Sequence, residues 1–265
     1  MKKSLISLVV LMGFVFLSFC SYTWAQEETP TASADVGIFN KYVWRGYELS
    51  DNSVVIQPSI TVGYKGFAMN LWGNLDTDLD TEDEDADGSQ FNETDLTLSY
   101  DKSFGMMSVG VGYIYYGLDG LDDSQELYLC LGVDTLLSPT ITIYREVAHL
   151  PGWYVNFSIS HSVELPKDIT LDLSASAGYY SYDNEEDGCE YDSDLLPTDD
   201  KYSSLHDGLI TVGLTIPVDK HVTICPVLAY SFPLCSEADD HISGFNGYSD
   251  ESDYIFGGVS VSFAF

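Results

Sequence analysis

A transmembrane antiparallel β-barrel of 12 strands is the all-β fold class this sequence predicts, on three grounds. Segments of about ten residues alternate apolar and polar side chains, which is the period of a strand and not of a helix. The connections between them are short at one end and mostly long at the other, and aromatic residues collect at the segment ends. The segments fall at 34–46, 53–64, 67–75, 91–101, 106–118, 125–134, 140–148, 153–164, 169–182, 206–217, 221–233 and 253–265. In one of them Leu127, Leu129, Leu131 and Val133 oppose Glu126, Tyr128, Cys130 and Gly132. In another Leu171, Leu173, Ala175 and Ala177 oppose Asp172, Ser174 and Ser176.

The short turns lie at 64–66, 102–104, 136–138, 165–167 and 218–220, and the long loops at 76–90, 118–124, 183–205 and 234–252, with briefer ones at 47–52 and 149–152. An even number of strands with this asymmetry is the architecture of bacterial outer-membrane barrels, with both termini on the periplasmic side. Amphipathic rings are best placed at the two interfaces. Accordingly Trp44, Tyr113, Tyr115, Tyr116, Trp153, Tyr179 and Tyr180 fall at loop ends, and Tyr64, Phe67, Tyr100, Phe263 and Phe265 at turn ends.

At the N-terminus, Lys2 and Lys3 precede an apolar run from Leu5 to Phe19, and Ala25 offers a small-residue exit. This is the layout of a secretory signal peptide, expected to be removed as residues 1–25. Residues 26–33 are then a short periplasmic segment and 34–265 the barrel domain. A lipoprotein reading of Cys20 fits poorly, because bulky Phe19 precedes it. Formal net charge is −32, from 42 acidic and 10 basic residues, which excludes a nucleic-acid partner on electrostatic grounds.

Within the first strand Val36, Ile38, Tyr42 and Trp44 would face lipid while Phe39, Lys41, Val43 and Arg45 face inward. The same parity sends Lys41, Arg45, Asp95, Glu126, Glu146 and Asp172 to the lumen, the pore-lining candidates. Lys41 and Arg45 are expected to offset acids across the lumen, and Trp44 to anchor in the outer girdle. Arg145 has lipid parity near a loop end, where it can snorkel, or else a local bulge turns it inward. The last strand places Val259, Val261, Phe263 and terminal Phe265 on one face and must pair with the first to close the barrel. Its terminal aromatic resembles the C-terminal signal read by the barrel-assembly machinery, with Gly258 displaced from the usual glycine position.

The long loops are acidic and the opposite turns carry Lys65, Lys102, Lys167 and Lys220. The outer mouth should therefore concentrate cations. Asp83, Asp85 and Asp87 before Gly88 match the first half of a calcium loop, although its twelfth place is Thr94 rather than Glu. Ca2+ there, or bridging loops to lipopolysaccharide phosphates, is the only bound ion expected, and no cofactor. Cys189 and Cys235 fall in polar loops of an exported chain and could form a disulfide, whereas Cys130 and Cys225 lie in apolar strands. A lipid hydrolase would need His and Ser two residues apart on one strand face. His161-Ser162 lacks that spacing, and His241-Ile242-Ser243 has it but in a Gly/Asp-rich segment read as loop.

Residues 40–78 resemble the opening of the TorF family of porin-like bacterial proteins, through Lys41, Tyr42, Trp44, Arg45, Gly46, Gln57, Pro58, Gly66, Phe67, Trp72 and Gly73. The resemblance implies a porin-like barrel and no catalytic residue. The expectation is a passive outer-membrane channel for small hydrophilic solutes or ions, in contact with outer-membrane lipid. A sealed structural or adhesive barrel, using acidic loops for ion-bridged contacts, is the alternative.

Overall fold

A computed structural model describes residues 29–50, 53–79, 88–245 and 251–265. In chain order its elements are β1 (Thr31–Phe39), β2 (Val43–Trp44), β3 (Tyr47–Glu48), β4 (Val55–Tyr64), β5 (Phe67–Leu79) and β6 (Gly88–Phe104). There follow β7 (Met107–Leu118), β8 (Ser124–Val133), β9 (Thr140–Glu146), β10 (Gly152–Glu164), β11 (Thr170–Tyr182), β12 (Cys189–Tyr191) and β13 (Pro197–Lys201). The chain ends with β14 (Ser203–Pro217), β15 (Val222–Pro233), α1 (Ser236–Phe245) and β16 (Tyr254–Ala264).

Twelve of these strands form a closed barrel in which each pairs antiparallel with its neighbours. β2 with β3 and β12 with β13 make two small hairpins outside the wall. Closure is between the ends of the chain, from Ser33 opposite Ala264 to Phe39 opposite Gly258. A closed sheet leaves no edge with unpaired backbone groups, the condition for strands in hydrocarbon.

Alternation sorts the side chains as the sequence predicts. Leu127, Leu129 and Leu131 are exposed on the outer face, while Glu126 and Cys130 between them are 2% and 1% exposed. Where a large ring lies across the ladder inside, glycine makes room: a Cβ on Gly112 would lie 2.3 Å from the Tyr128 ring that fills its place.

Three expectations are corrected here. The first wall strand runs from Thr31 to Phe39, not over 34–46. Its expected second half leaves the wall as the β2–β3 hairpin and is buried within the barrel, with Tyr42, Val43 and Tyr47 at 6% exposure or less. The second turn lies at 105–106, because β6 and β7 pair through Phe104 and Met107. The outer girdle is thinner than expected: Trp153 and Tyr179 face outward, but Tyr116 and Tyr180 are buried inside. Strand parity splits each Tyr-Tyr pair, sending one ring to lipid and its neighbour to the lumen.

Candidate functional site

The site is built around the tip of the β2–β3 hairpin. Arg45 and Gly46 both adopt positive φ, at 48° and 86°, the pair of left-handed residues that a tight two-residue hairpin turn demands. Glycine is required at the second for a further reason, since a Cβ there would lie 2.9 Å from Ile242 of α1. The tight turn points Arg45 across the lumen.

There its guanidinium donates to both carboxylate oxygens of Glu126 on β8, at 2.7 and 2.8 Å. Such a fork-to-fork pair fixes orientation as well as charge. Tyr116 of β7 donates to Glu126 Oε2 at 2.8 Å and holds the carboxylate in place. The guanidinium also lies over three rings: Tyr154 at 4.2 Å, Trp44 at 4.3 Å and Tyr144 at 4.6 Å from the centroids. Two of these belong to a cross-strand row in which Tyr128 faces Tyr144, Tyr144 faces Tyr154 and Tyr154 faces Tyr180. Their centroids are 5.6 to 5.9 Å apart. Tyr154 in turn donates to Asp207 on β14 at 2.9 Å.

The backbone of the tip is held as well. His206 Nε2 donates to the Arg45 carbonyl at 2.9 Å, which leaves Nδ1 to accept from the Tyr202 hydroxyl at 2.7 Å. On the other side His241 of α1 donates from Nδ1 to the Cys189 carbonyl at 2.9 Å and accepts the Tyr47 hydroxyl on Nε2 at 3.0 Å. Burial pushes the His241 imidazole down to about 4, only partly opposed by its bond to the Cys189 carbonyl. Apolar packing completes the seat: Val43 with Leu209, Ala229 and Phe256, Tyr42 with Trp72, and Tyr47 with Ala238 and Ile242. The hairpin thus touches strands around much of the circumference in the loop-end half of the lumen.

Toward the turn end the lumen is lined by small polar groups. Asp172 accepts from Ser162 at 2.5 Å and Thr215 at 2.8 Å, Ser174 shares a hydrogen bond with Thr211 at 2.6 Å, and Ser262 donates to Asp35. This half is wettable.

The six pore-lining candidates do not form one constellation. Arg45 and Glu126 meet. Lys41 binds Glu48 of its own hairpin at 2.5 Å. Glu146 is held by the backbone N–H groups of Ala148 and His149, at 2.8 and 3.0 Å. Asp172 belongs to the turn-end network. Asp95, 1% exposed and opposite Tyr116 in the ladder, is a buried acid beside the Glu93 carboxyl.

Other expectations resolve differently. Trp44 packs inside against Tyr116 rather than in the girdle. Arg145 needs no bulge: the ladders on both sides of β9 are regular, and its arm reaches Asp183 in a two-point pair of 2.7 and 2.6 Å. Cys189 and Cys235 are free thiols, so the expected disulfide is not made. Cys235 Sγ instead donates to the Leu205 carbonyl at 3.0 Å. His241 and Ser243 lie on a helix, where two residues apart means opposite faces, and both His241 ring nitrogens are engaged elsewhere. Asp83, Asp85 and Asp87 lie outside the described residues. The sequence reading missed Tyr144, Tyr154, His206 and Asp207 as partners of the hairpin. An Arg-Gly pair flanked by Tyr-Val-Trp and Tyr-Glu was the available signal for it.

The fold and the inward hairpin define an antiparallel barrel of the outer-membrane type whose first outer loop is folded into its own lumen. By sequence the chain belongs to the family described as a bacterial protein of unknown function (Gcw_chp), which matches residues 25–191. That description does not carry the TorF name suggested by residues 40–78. No curated protein sequence matches the chain. Among solved structures it is similar to the KdgM porin, with TM-score 0.52 and 13% identity over 88% of this chain and 99% of that one. It is likewise similar to the NanC porin, with TM-score 0.55 and 13% identity over 87% and 98%. Identities this low establish a shared barrel fold.

Proposed function

We propose that the protein is a porin-like channel of the bacterial outer membrane that passes small hydrophilic solutes, favours cations, and is closed at rest by its own first loop. The observation that carries this is the placement of charge. Beyond the leader, the basic residues other than Lys41 and Arg45 lie at turns, on the outer face or in the β12–β13 hairpin. The wall itself presents Asp35, Asp95, Glu126, Glu146, Asp172 and Asp207 to the interior. Withdrawal of the hairpin would remove the lumen's positive charge and leave an anionic path, which concentrates cations within about 8–10 Å. The fold shared with the KdgM and NanC porins and the TorF resemblance of residues 40–78 support the channel reading. A secretory leader at 1–25, outer-membrane lipid and lipopolysaccharide as surroundings, and the barrel-assembly machinery as the route of insertion belong to the same proposal. Ca2+ at Asp83, Asp85 and Asp87 is a separate part of it, tested by calcium protection of that loop from protease.

A second reading, a sealed structural or adhesive barrel, is favoured by the number of contacts that hold the hairpin. Planar-bilayer recording across a potassium chloride gradient separates the two. Channel events with a cation-selective reversal potential are expected. No events from either the native protein or a hairpin-released variant would sink the channel, and anion selectivity would sink its electrostatic part.

A further inference from the structure

The Arg45 guanidinium sits in a pocket whose walls, apart from the Trp44 ring of the hairpin itself, belong to the barrel strands. Glu126 is on β8, Tyr144 on β9 and Tyr154 on β10, three adjacent wall strands paired in regular register. Tyr116 on the next strand fixes Glu126 from behind. The acceptor and the two ring faces are thus in place independently of what fills the pocket. Their chemistry is specific: two coplanar carboxylate oxygens at 2.7 and 2.8 Å and ring centroids at 4.2 and 4.6 Å match a planar, weakly hydrated cation. Asp95 adds a second buried carboxylate beside Tyr116, next to that of Glu93. The patch therefore holds more acceptor capacity than Arg45 alone engages.

We propose that Glu126, Tyr144 and Tyr154, with Asp95 alongside, form a lumenal binding site for solutes bearing a guanidinium or alkylammonium group, and that Arg45 occupies it as a tethered stand-in. This rests on the channel reading for its physiological meaning, and it names the class of solute. A free cation competes with Arg45 for one carboxylate, so binding of solute and withdrawal of the hairpin are the same exchange. By linkage, a change confined to the hairpin that weakens Arg45 in the pocket strengthens the solute there by up to the same factor.

The test uses the full-length protein in detergent and in planar bilayers, with methylguanidinium chloride as probe and potassium chloride as control. In R45A, or in R45M where the side-chain stem is retained, methylguanidinium at millimolar concentration is expected to raise the melting temperature and to block potassium current saturably. Adding E126Q to either variant should weaken both effects about tenfold or more. Folding of each variant is checked by its heat-modifiable migration on gels. A potassium current in R45A with no saturable block would overturn the site while leaving the channel standing. If no form carries current, the channel reading fails and the melting shift alone decides: a shift that depends on Glu126 upholds the site, and its absence removes it.

Discussion

Arg45 and Glu126 are separated by 81 residues and meet through two hydrogen bonds inside the barrel, where the two side chains are 3% and 2% exposed. The first carries the hairpin tip and the second belongs to the wall. Their pairing is what joins the hairpin to the wall.

Removing either partner leaves the other charge buried and unpaired, which costs about 3–5 kcal/mol. At about 1.4 kcal/mol per tenfold change, R45A or E126A should shift the hairpin toward its released position by two or more orders of magnitude. The expected result for E126A is faster tryptic cleavage after Arg45, together with a raised mean conductance. Unchanged protection in a folded E126A barrel would show that the apolar seat alone holds the hairpin.

Gly46 tests the same device through the backbone. In G46A the turn residue must hold φ near 86° with a Cβ set against Ile242, a strain of about 1–2 kcal/mol. Tryptic cleavage after Arg45 should rise by about tenfold, less than in E126A, with barrel stability unchanged.

Acid should loosen α1 from the hairpin. The folded His241 has its value lowered from 6.5 to about 4, so above pH 6.5 it is neutral in both folded and unfolded chains. As pH falls from 6.5 toward 4 the unfolded form takes up a proton that the folded form does not, and stability is lost over that window, up to roughly 3 kcal/mol. The groups facing the ring are Tyr47, Tyr182, Tyr191, Tyr202, His206 and Phe245. Hydrogen exchange of residues 236–245 should accelerate between pH 6.5 and 4 and lose that dependence in H241Q.

The rim pair behaves differently. Arg145 lowers the Asp183 carboxyl below its ordinary 3.8, so the contact persists at mild acidity and opens only as pH falls below that value. Protease sensitivity of residues 183–202 in the native protein should therefore stay flat across the His241 window, whereas D183N should be sensitive at every pH.

Inside the wall, G112V should force Tyr128 out of its place and lower stability by about 1–3 kcal/mol, read as a fall in the temperature at which the barrel loses its fast gel mobility. An unchanged transition would mean that the tyrosine row is free to shift.

The wall was legible because its signal is local. Leu127, Leu129 and Leu131 against Glu126, Tyr128 and Cys130 need no knowledge of distant residues, and the short turn at Lys65-Gly66 is fixed by its own dihedrals. The hairpin was not legible from alternation, because residues 40–46 alternate in the same way whether they continue the wall or fold inside it. What separates the two outcomes is the left-handed Arg45-Gly46 pair and acceptors on β8 and β14, outside any local window. Likewise α1 hides in a Gly/Asp-rich stretch, and only the spacing of buried Ala238, His241 and Ile242 on one helical face betrays it. Parity put Asp95, Glu126 and Glu146 on one side of their strands, where they are buried, but could not say which of them would be matched.

The seat of the hairpin also fixes an order of events in time. Residues 43–48 come early in the chain, yet their partners lie on β8, β9, β10, β14 and α1, with His241 coming 194 residues after Tyr47. The segment has nowhere to dock until nearly the whole chain has arrived and the last strand has closed on the first. Its seating is thus a molecular record that assembly is complete, and a barrel stalled partway through insertion should betray itself by an Arg45 that trypsin can still reach.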